Sequence, residues 1–387
     1  MRQYFLTLLT SVILIGASQA AEQSDVIQSE RLAFRVETLT RGLDHPWGLA
    51  FLPDGKMLVT ERIGRLRLIN KDGSLEPKAI AGVPPVVFEG QGGLLDIALH
   101  PRFSNTRWVY LAYAGREGEG LATQVVRAKL IQSGQDYRLE NLQQIYRQRP
   151  AGKRDVHFGA RLVFDHKGNL FITQGERGEQ NRAQDLNDLA GKSIHLKDNG
   201  AYLPQPPFTQ NAAIFSYGHR NMQGAALHPQ TGELWATEHG PQGGDELNIV
   251  RQGKNYGWPV ISYGANYGTG TKIGEGVSKP GMEQPIHQWT PSIAPSGLAF
   301  YQGSAFPAWR GNVLVGALKF QMLVRLELKG NQVTHEERLL KNQYGRIRDV
   351  RVGLDGLIYL LTDEGLLLRL IPENEVSAEL KVSAAQH

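Results

Sequence analysis

LVFDHKGNLFITQGE, Leu162 to Glu176, is a short apolar strand, a turn built on Asp, Gly and Asn, and a second apolar strand. Such a phrase folds as a β-hairpin, because the turn residues supply the backbone angles that a tight reversal needs. It recurs as LAFLPDGKMLVTE (Leu49 to Glu61), DIALHPRFSNTRWVYLAY (Asp96 to Tyr113) and AALHPQTGELWATE (Ala225 to Glu238). It appears twice more, as LAFYQGSAFPAWRGNVLVGA (Leu298 to Ala317) and VRVGLDGLIYLLTD (Val350 to Asp363). Irregular repeats of roughly 50 to 70 residues, each holding alternating strands, predict an all-β chain folded as a six-bladed β-propeller with four-stranded antiparallel blades. A β-sandwich would not repeat one hairpin phrase in this way. Ala183 to Leu189 is the one segment expected to form a short helix.

The first twenty residues have the form of a secretory signal: Arg2, an apolar run from Phe5 to Ile15, and Ala17-Ser18-Gln19-Ala20 before Ala21. The run is shorter than the roughly 20 residues that span a bilayer, so a mature chain exported to a bacterial periplasm, without membrane insertion, is expected. Residues 21–34 are expected to be a loose polar lead-in, 35–372 the propeller and 373–387 a polar tail. The absence of cysteine excludes disulfides, thiolate catalysis and Cys-based metal sites. A net charge of +4 and a pI near 9.1 are too mild to argue for nucleic acid.

A hairpin sets the start of its first strand beside the end of its second. The residues at those points are His45-Pro46-Trp47, Gln91-Gly92-Gly93, His157-Phe158-Gly159, Arg220-Asn221, Ser292 to Ser296 and Arg346-Ile347-Arg348 on one side. On the other are Glu61-Arg62, Glu176-Arg177, Glu238 to Pro241, Lys319 and Asp363-Glu364. Both sets should meet at one mouth of the central channel. Arg220, Lys319, Arg346 and Arg348, with Arg62 and Arg177 nearby, make that mouth cationic and point to a polyanionic small ligand. The competing expectation is that these arginines pair with Glu61, Glu176, Glu238 and Asp363 between blades. His157 is either a structural hydrogen-bonder or, beside an anion site, a general base, since imidazole titrates near neutrality. In Gly218 to Pro259 the carbonyls of Gly240 and Pro241 and the carboxylates of Asp245 and Glu246 suit Ca²⁺ rather than zinc. A tight turn whose carboxylates cap backbone N–H groups would need the same residues.

The ordered set GQGGLLDI (Gly90 to Ile97), HFGARLVF (His157 to Phe164), SYGHRNMQG (Ser216 to Gly224), EHGPQGGDELN (Glu238 to Asn248), KNYGWP (Lys254 to Pro259), GALK (Gly316 to Lys319) and RIRDV (Arg346 to Val350) resembles one known family. That family is the soluble aldose sugar dehydrogenases that use pyrroloquinoline quinone (PQQ), relatives of soluble quinoprotein glucose dehydrogenase. The resemblance runs from about Leu43 to Leu370. It implies a six-bladed propeller with PQQ, a tricarboxylate ortho-quinone, across the channel mouth. It further implies that Arg220, Asn221, Lys319, Arg346 and Arg348 bind PQQ, and that the carbonyls of Gly240 and Pro241 hold a Ca²⁺. A second Ca²⁺ would lie at Glu246 and Tyr256. His157 would be the general base in oxidation of the C1 hydroxyl of an aldose to a lactone, by hydride transfer to PQQ. Gln91 would lie by the reacting hydroxyl, Arg220 would stabilise developing charge, and Ca²⁺ would polarise the quinone. Electrons would then pass to an external acceptor.

Three positions depart from the family pattern. Val156 stands before the base where an Asp is usual, with Asp155 one place earlier; Ala160 replaces the last glycine of HFGG, and Met222 the proline of RNPQG. The loop QWTPSIAPSG (Gln288 to Gly297) matches loosely, and Trp289 is its candidate sugar-stacking wall. Two rival readings are a Ca²⁺-dependent lactonase-like propeller hydrolase and a secreted propeller that only binds protein or glycan. The first should centre its metal among side-chain carboxylates and amides; the second should have lost some of His157, Lys319, Arg346 and Arg348.

Overall fold

A computed structural model describes residues 25–373. The expected signal segment and the tail from residue 374 lie outside the described residues. Six antiparallel sheets follow one another along the chain. Their first strands are Pro46–Phe51, Leu94–Leu99, Leu162–Phe164, Met222–Leu227, Pro295–Phe300 and Ile347–Val352. Each packs against the first strand of the next sheet, and the last packs against the first, so the six form a closed ring around a central channel. This is the six-bladed propeller that the hairpin repeats predict.

Register bears out the placement of the mouth. Pro46 pairs with Glu61, Met222 with Glu238 and Ile347 with Thr362, so the start of each first strand lies beside the end of its neighbour. The apolar residues of the strands fill the space between sheets. Leu162, Leu170 and Ile172 of one blade meet Tyr110, Ala112 and Val125 of the blade before it. Burying such side chains contributes about 1.5–3 kcal/mol each and holds neighbouring blades face to face.

The blades are less uniform than expected. The first has three strands, Pro46–Phe51, Met57–Glu61 and Arg65–Ile69, with only isolated bridges to Leu75 and Ile80 where a fourth would lie. The last has five, because Ala33–Thr40 from the N-terminal end pairs with Leu367–Pro372 and closes the ring, and Ile27–Gln28 adds beyond it. The described part of the lead-in is therefore anchored. Arg31 Nε donates to Glu327 at 2.9 Å, and the Glu30 N–H donates to Glu337 at 2.6 Å. The short helix also falls elsewhere: a 3₁₀ turn spans Gln180–Gln184, burying Ala183, and residues 185–189 are turn and coil.

Candidate active site

His157 sits at the channel mouth in a left-handed backbone conformation, φ 53°, and Ala160 three residues on has φ 82°. Such angles are costly for side chains with a Cβ and persist where neighbours fix them. The neighbours are visible. The His157 N–H donates to Gln91 Oε1 at 2.9 Å, and the Gln91 N–H donates to the Asp155 carbonyl at 2.8 Å. Gly175 passes so close that a Cβ there would stand 2.1 Å from the His157 carbonyl oxygen. Only glycine fits that crossing.

The imidazole Nδ1 lies 2.6 Å from Glu176 Oε2, with the carboxylate 2 % exposed. A carboxylate only accepts, so Nδ1 carries a proton, and in the neutral ring that leaves Nε2 with the lone pair. The Asp missing at position 156 is thus answered by a carboxylate from the end of the next strand. Val156 instead lines a cavity, and Asp155 serves through its backbone.

Three cavities adjoin. The first, of about 320 Å³, is lined by Trp47, Arg62, Gln91, Asn221, Arg346 and Arg348 among others, within the range of roughly 300–1,000 Å³ usual for small ligands. Among the described residues Asp363 is its only acidic lining residue, and both arginines of the RIRDV segment reach it: Arg346 Nε at 2.9 Å, Arg348 Nε and Nη2 at 2.8 and 2.9 Å. Burial works against ionisation of Asp363, but Arg348 and Arg346 outweigh it and hold its pKa below the usual carboxylate value. Arg62 rests its guanidinium on the Gly90 and Gly92 carbonyls; burial and then Arg348 lower its pKa. Three guanidinium groups against one carboxylate leave net positive charge, which an anion would neutralise. The expected pairing with acids is therefore half of the outcome: Asp363 is used, yet the cavity stays cationic.

The second cavity is a void of about 20 Å³, room for one water or ion. Gly240, Pro241, Glu246 and Tyr256 all line it, with Arg220, Glu238 and Ser262, so the two expected Ca²⁺ segments converge on one void. Glu238 and Glu246 are cross-strand partners. Burial, and then Glu238, push the Glu246 carboxyl up to about 8, the behaviour of a carboxylate lacking a counter-charge. The Tyr256 hydroxyl is committed, donating to the Ile249 carbonyl at 2.6 Å and accepting the Arg251 N–H at 2.8 Å. Among the described residues no three His, Asp or Glu side chains converge as a metal cluster. A cation here depends on backbone carbonyls, and the oxygen-only donor set suits a hard ion.

The third cavity, of about 360 Å³, holds His157 and Glu176 beside Arg154, Arg220, Trp258 and Tyr267. Arg220 bridges the second and third cavities. Its Nη1 donates to the His239 carbonyl at 3.2 Å, its Nε is buried without a partner, and its guanidinium lies 5.3 Å from the Trp258 ring. An unpaired buried donor is costly and fits a site that expects an acceptor. His239 bridges the first and second cavities. Its Nε2–H donates to the Pro295 carbonyl at 2.6 Å; burial, against that bond, brings the ring pKa down to about 3, with Arg220 and His157 adding to the effect.

Several expected residues lie elsewhere. Trp289 is 2 % exposed, packed against the next blade, with its indole N–H donating to Glu336 at 2.8 Å. A side chain buried between sheets cannot stack on a sugar. Arg177 is likewise internal: its guanidinium covers the Phe158 ring at 3.6 Å and bonds the Leu121, Arg154 and Val156 carbonyls. Burial drops its pKa to about 9. Lys319 is exposed and lines none of the three cavities, although its neighbour Leu318 lines the first; its ammonium is 5.3 Å from the Phe320 ring. Asn221 is inside, its Oδ1 accepting from the Gly159 N–H at 3.2 Å. The reading of the sequence placed Glu176 and His239 at the mouth, offering Glu176 an arginine as partner and His239 none; Glu176 instead meets His157, and side-chain direction was the missing part.

A profile of the Glucose / Sorbosone dehydrogenase family matches residues 43–369. The chain belongs to that family. Among its relatives is the aldose sugar dehydrogenase YliI of Escherichia coli K12, 45 % identical over 348 residues, covering 88 % of this chain and 93 % of the relative. The crystal structure of the soluble aldose sugar dehydrogenase of Escherichia coli in its apo form superposes with a TM-score of 0.85 at 43 % identity, covering 88 % of this chain and 100 % of that one. The PQQ-bound aldose sugar dehydrogenase of Streptomyces coelicolor superposes with a TM-score of 0.73 at 30 % identity, covering 88 % and 98 %. The family resemblance drawn from the seven motifs is borne out, and with it an oxidoreductase assignment for this glucose/sorbosone dehydrogenase family member.

Proposed function

We propose that this enzyme oxidises the C1 hydroxyl of aldose sugars to lactones with PQQ as the electron-accepting cofactor and a bound Ca²⁺. The observation that carries the reading is the His157–Glu176 pair, 2.6 Å apart, in a cavity that adjoins a cationic one through Arg220, the small void and His239. A tricarboxylate matches the charge of Arg346, Arg348 and Arg62, and the void at Gly240, Pro241 and Glu246 matches a single hard cation. When bound, PQQ supplies a hydride acceptor and Ca²⁺ a Lewis acid that polarises it.

The chain's own residues do the rest. His157 Nε2, left as acceptor by the bond at Nδ1, takes the proton of the sugar hydroxyl. Glu176 fixes that tautomer and stabilises the imidazolium that forms. Gln91 holds the His157 backbone in its left-handed conformation and lines the first cavity, where the cofactor would bind. Arg220, with an unspent N–H, faces charge that develops on an oxygen. Asn221, which lines the cationic cavity, and Lys319, next to its lining residue Leu318, would help hold the cofactor. Trp258 and Tyr267 replace Trp289 as the aromatic walls of the sugar cavity. The N-terminal signal pattern supports a periplasmic location, and among the described residues no helix is long and apolar enough to cross a membrane. An external acceptor takes the electrons.

Purified protein reconstituted with PQQ and Ca²⁺ should reduce a redox dye when given aldoses, and should be inactive without either addition. A panel of aldoses that yields no dye reduction and no change in the quinone spectrum refutes the proposal. His157→Ala should keep PQQ bound and lose most turnover.

A further inference from the structure

The long excursion between the strands Asp245–Val250 and His287–Trp289 folds back on itself at residues 265–272. The Asn266 N–H donates to the Thr271 carbonyl at 2.8 Å and the Gly270 N–H to that of Asn266 at 3.0 Å, making a small closed tip that carries Tyr267. The tip is fastened to the loop that holds Gly240 and Pro241. Gln242 and Ala265 exchange backbone hydrogen bonds of 3.0 and 3.2 Å. Gly264 packs so closely that a Cβ there would stand 2.3 Å from the Gly243 carbonyl oxygen and 2.7 Å from the Pro241 ring. The backbone under Tyr267 is therefore tied to the Pro241 loop.

The side chain is 69 % exposed, so packing does not decide where it points. What holds it is one bond: the Tyr267 hydroxyl donates to the Pro241 carbonyl oxygen at 2.9 Å. Tyr267 and Pro241 both line the cavity that contains His157, Glu176 and Trp258, and Pro241 also lines the small void. Pro241 thus lines the small void and, through its carbonyl oxygen, parks this phenol.

We propose that Tyr267 is a positioning residue that couples cation binding at Pro241 to the sugar cavity. A hydroxyl proton and a divalent cation each present positive charge to the same oxygen, so coordination of the cation weakens the phenol's bond. The ring is exposed and its backbone is fixed, so the released hydroxyl swings into the cavity beside His157 at little packing cost. There it donates to a sugar hydroxyl. The site then takes sugar well only when its cation is in place. This rests on the cation reading given above.

Calorimetric titration of Ca²⁺ into the purified protein without PQQ tests it, comparing wild type with Tyr267→Phe. Phenylalanine keeps the ring and removes the competing donor, and the net worth of one neutral hydrogen bond sets the scale. Ca²⁺ should bind the variant roughly 3- to 10-fold more tightly, while Tyr202→Phe, an exposed tyrosine elsewhere (62 % exposed), should leave the affinity unchanged. In the reconstituted enzyme Tyr267→Phe should raise KM for the sugar several-fold and leave kcat nearly as it was. Equal Ca²⁺ affinity in wild type and Tyr267→Phe overturns the coupling and leaves the cation reading standing. A wild type that takes up no Ca²⁺ overturns both.

Discussion

Replacing Glu176 by glutamine isolates the charge behind the proposed base. Glutamine keeps an oxygen where Oε2 accepts from Nδ1, so the tautomer of His157 and the 2.6 Å contact can survive. What goes is the negative charge that steadies the imidazolium. The two side chains are only 14 % and 2 % exposed, so water screens their interaction weakly. A charged hydrogen bond exceeds a neutral one by about 1.5 kcal/mol. Two unit charges roughly 4 Å apart attract by about 4 kcal/mol at an effective dielectric constant of 20. A value between these limits, near 2.7 kcal/mol, lowers kcat about 100-fold.

Rapid mixing of PQQ-loaded enzyme with a saturating aldose reads the step directly, and titration of PQQ into the apoprotein reads binding. Glu176 lines the cavity of His157 and is absent from the cationic one. PQQ affinity should therefore stay within about threefold of wild type, well inside the 1.4 kcal/mol that a tenfold change represents. A reduction rate within about threefold of wild type would mean that His157 does not gather positive charge as the sugar reacts. Loss of PQQ binding together with rate would make Glu176 a structural residue.

Arg348→Ala removes a guanidinium that makes two bonds to Asp363 and lines the cationic cavity; PQQ affinity by titration should fall about 10- to 100-fold, and unchanged affinity places the cofactor elsewhere. Ala160→Gly relieves a buried residue at φ 82°; it should stabilise the fold by about 1 kcal/mol in urea unfolding, and destabilisation would show that the methyl packs better than the backbone suffers. Glu336 accepts from His287, Trp289 and Arg338, and although burial opposes ionisation these bonds bring its carboxyl to about 2. Because that is below the unfolded value of about 4.3, the stabilisation of about 3 kcal/mol is complete above that pH and is lost as pH falls toward 2. Glu336→Gln should therefore unfold more easily than wild type at pH 6 and equally at pH 2, and a constant gap across that range rejects the linkage.

The parts of this molecule that could be read in advance are those fixed by period and register. The alternation in LVFDHKGNLFITQGE specifies two strands and a turn, and hence that Glu176 lies near His157. The destination of a long polar side chain is a different matter, since it depends on what the neighbouring loop offers. Arg177 follows Glu176 directly, yet its backbone turns into the left-handed region, φ 64°, and sends it under Phe158 toward carbonyls that no local pattern announces. Trp289 shows the same limit for an apolar residue. It lies on the outermost strand of its sheet, and its burial comes from Glu336 and the valines of the following blade. The fifth strand of the last sheet was hidden for a related reason. Ala33–Thr40 finds its partner, Leu367–Pro372, at the far end of the chain, and ring closure is not a property of either segment alone.

Below the mouth the channel is crossed by charge. Asp96 and Asp349, 0 % and 1 % exposed, face Arg161 and Arg351. Arg161 Nη1 reaches them at 2.9 and 3.1 Å, and Arg351 at 2.9 and 2.8 Å. Two negative and two positive groups cancel, so the quartet neither attracts the anion nor repels it. Its members belong to the segments that carry the site. Asp96 follows Gln91 along one chain segment, Arg161 follows His157, and Asp349 is the neighbour of Arg348. Methyl groups packed between sheets tolerate a small slide of one strand past another, whereas four short ion pairs with fixed partners do not, and a mispaired buried charge costs several kcal/mol. The Leu162 N–H adds a further constraint, donating to Asp96 at 2.8 Å across the blade boundary. The distances among Gln91, His157 and Arg348, which come from three separate blades, are therefore set beneath the cavity before any ligand arrives.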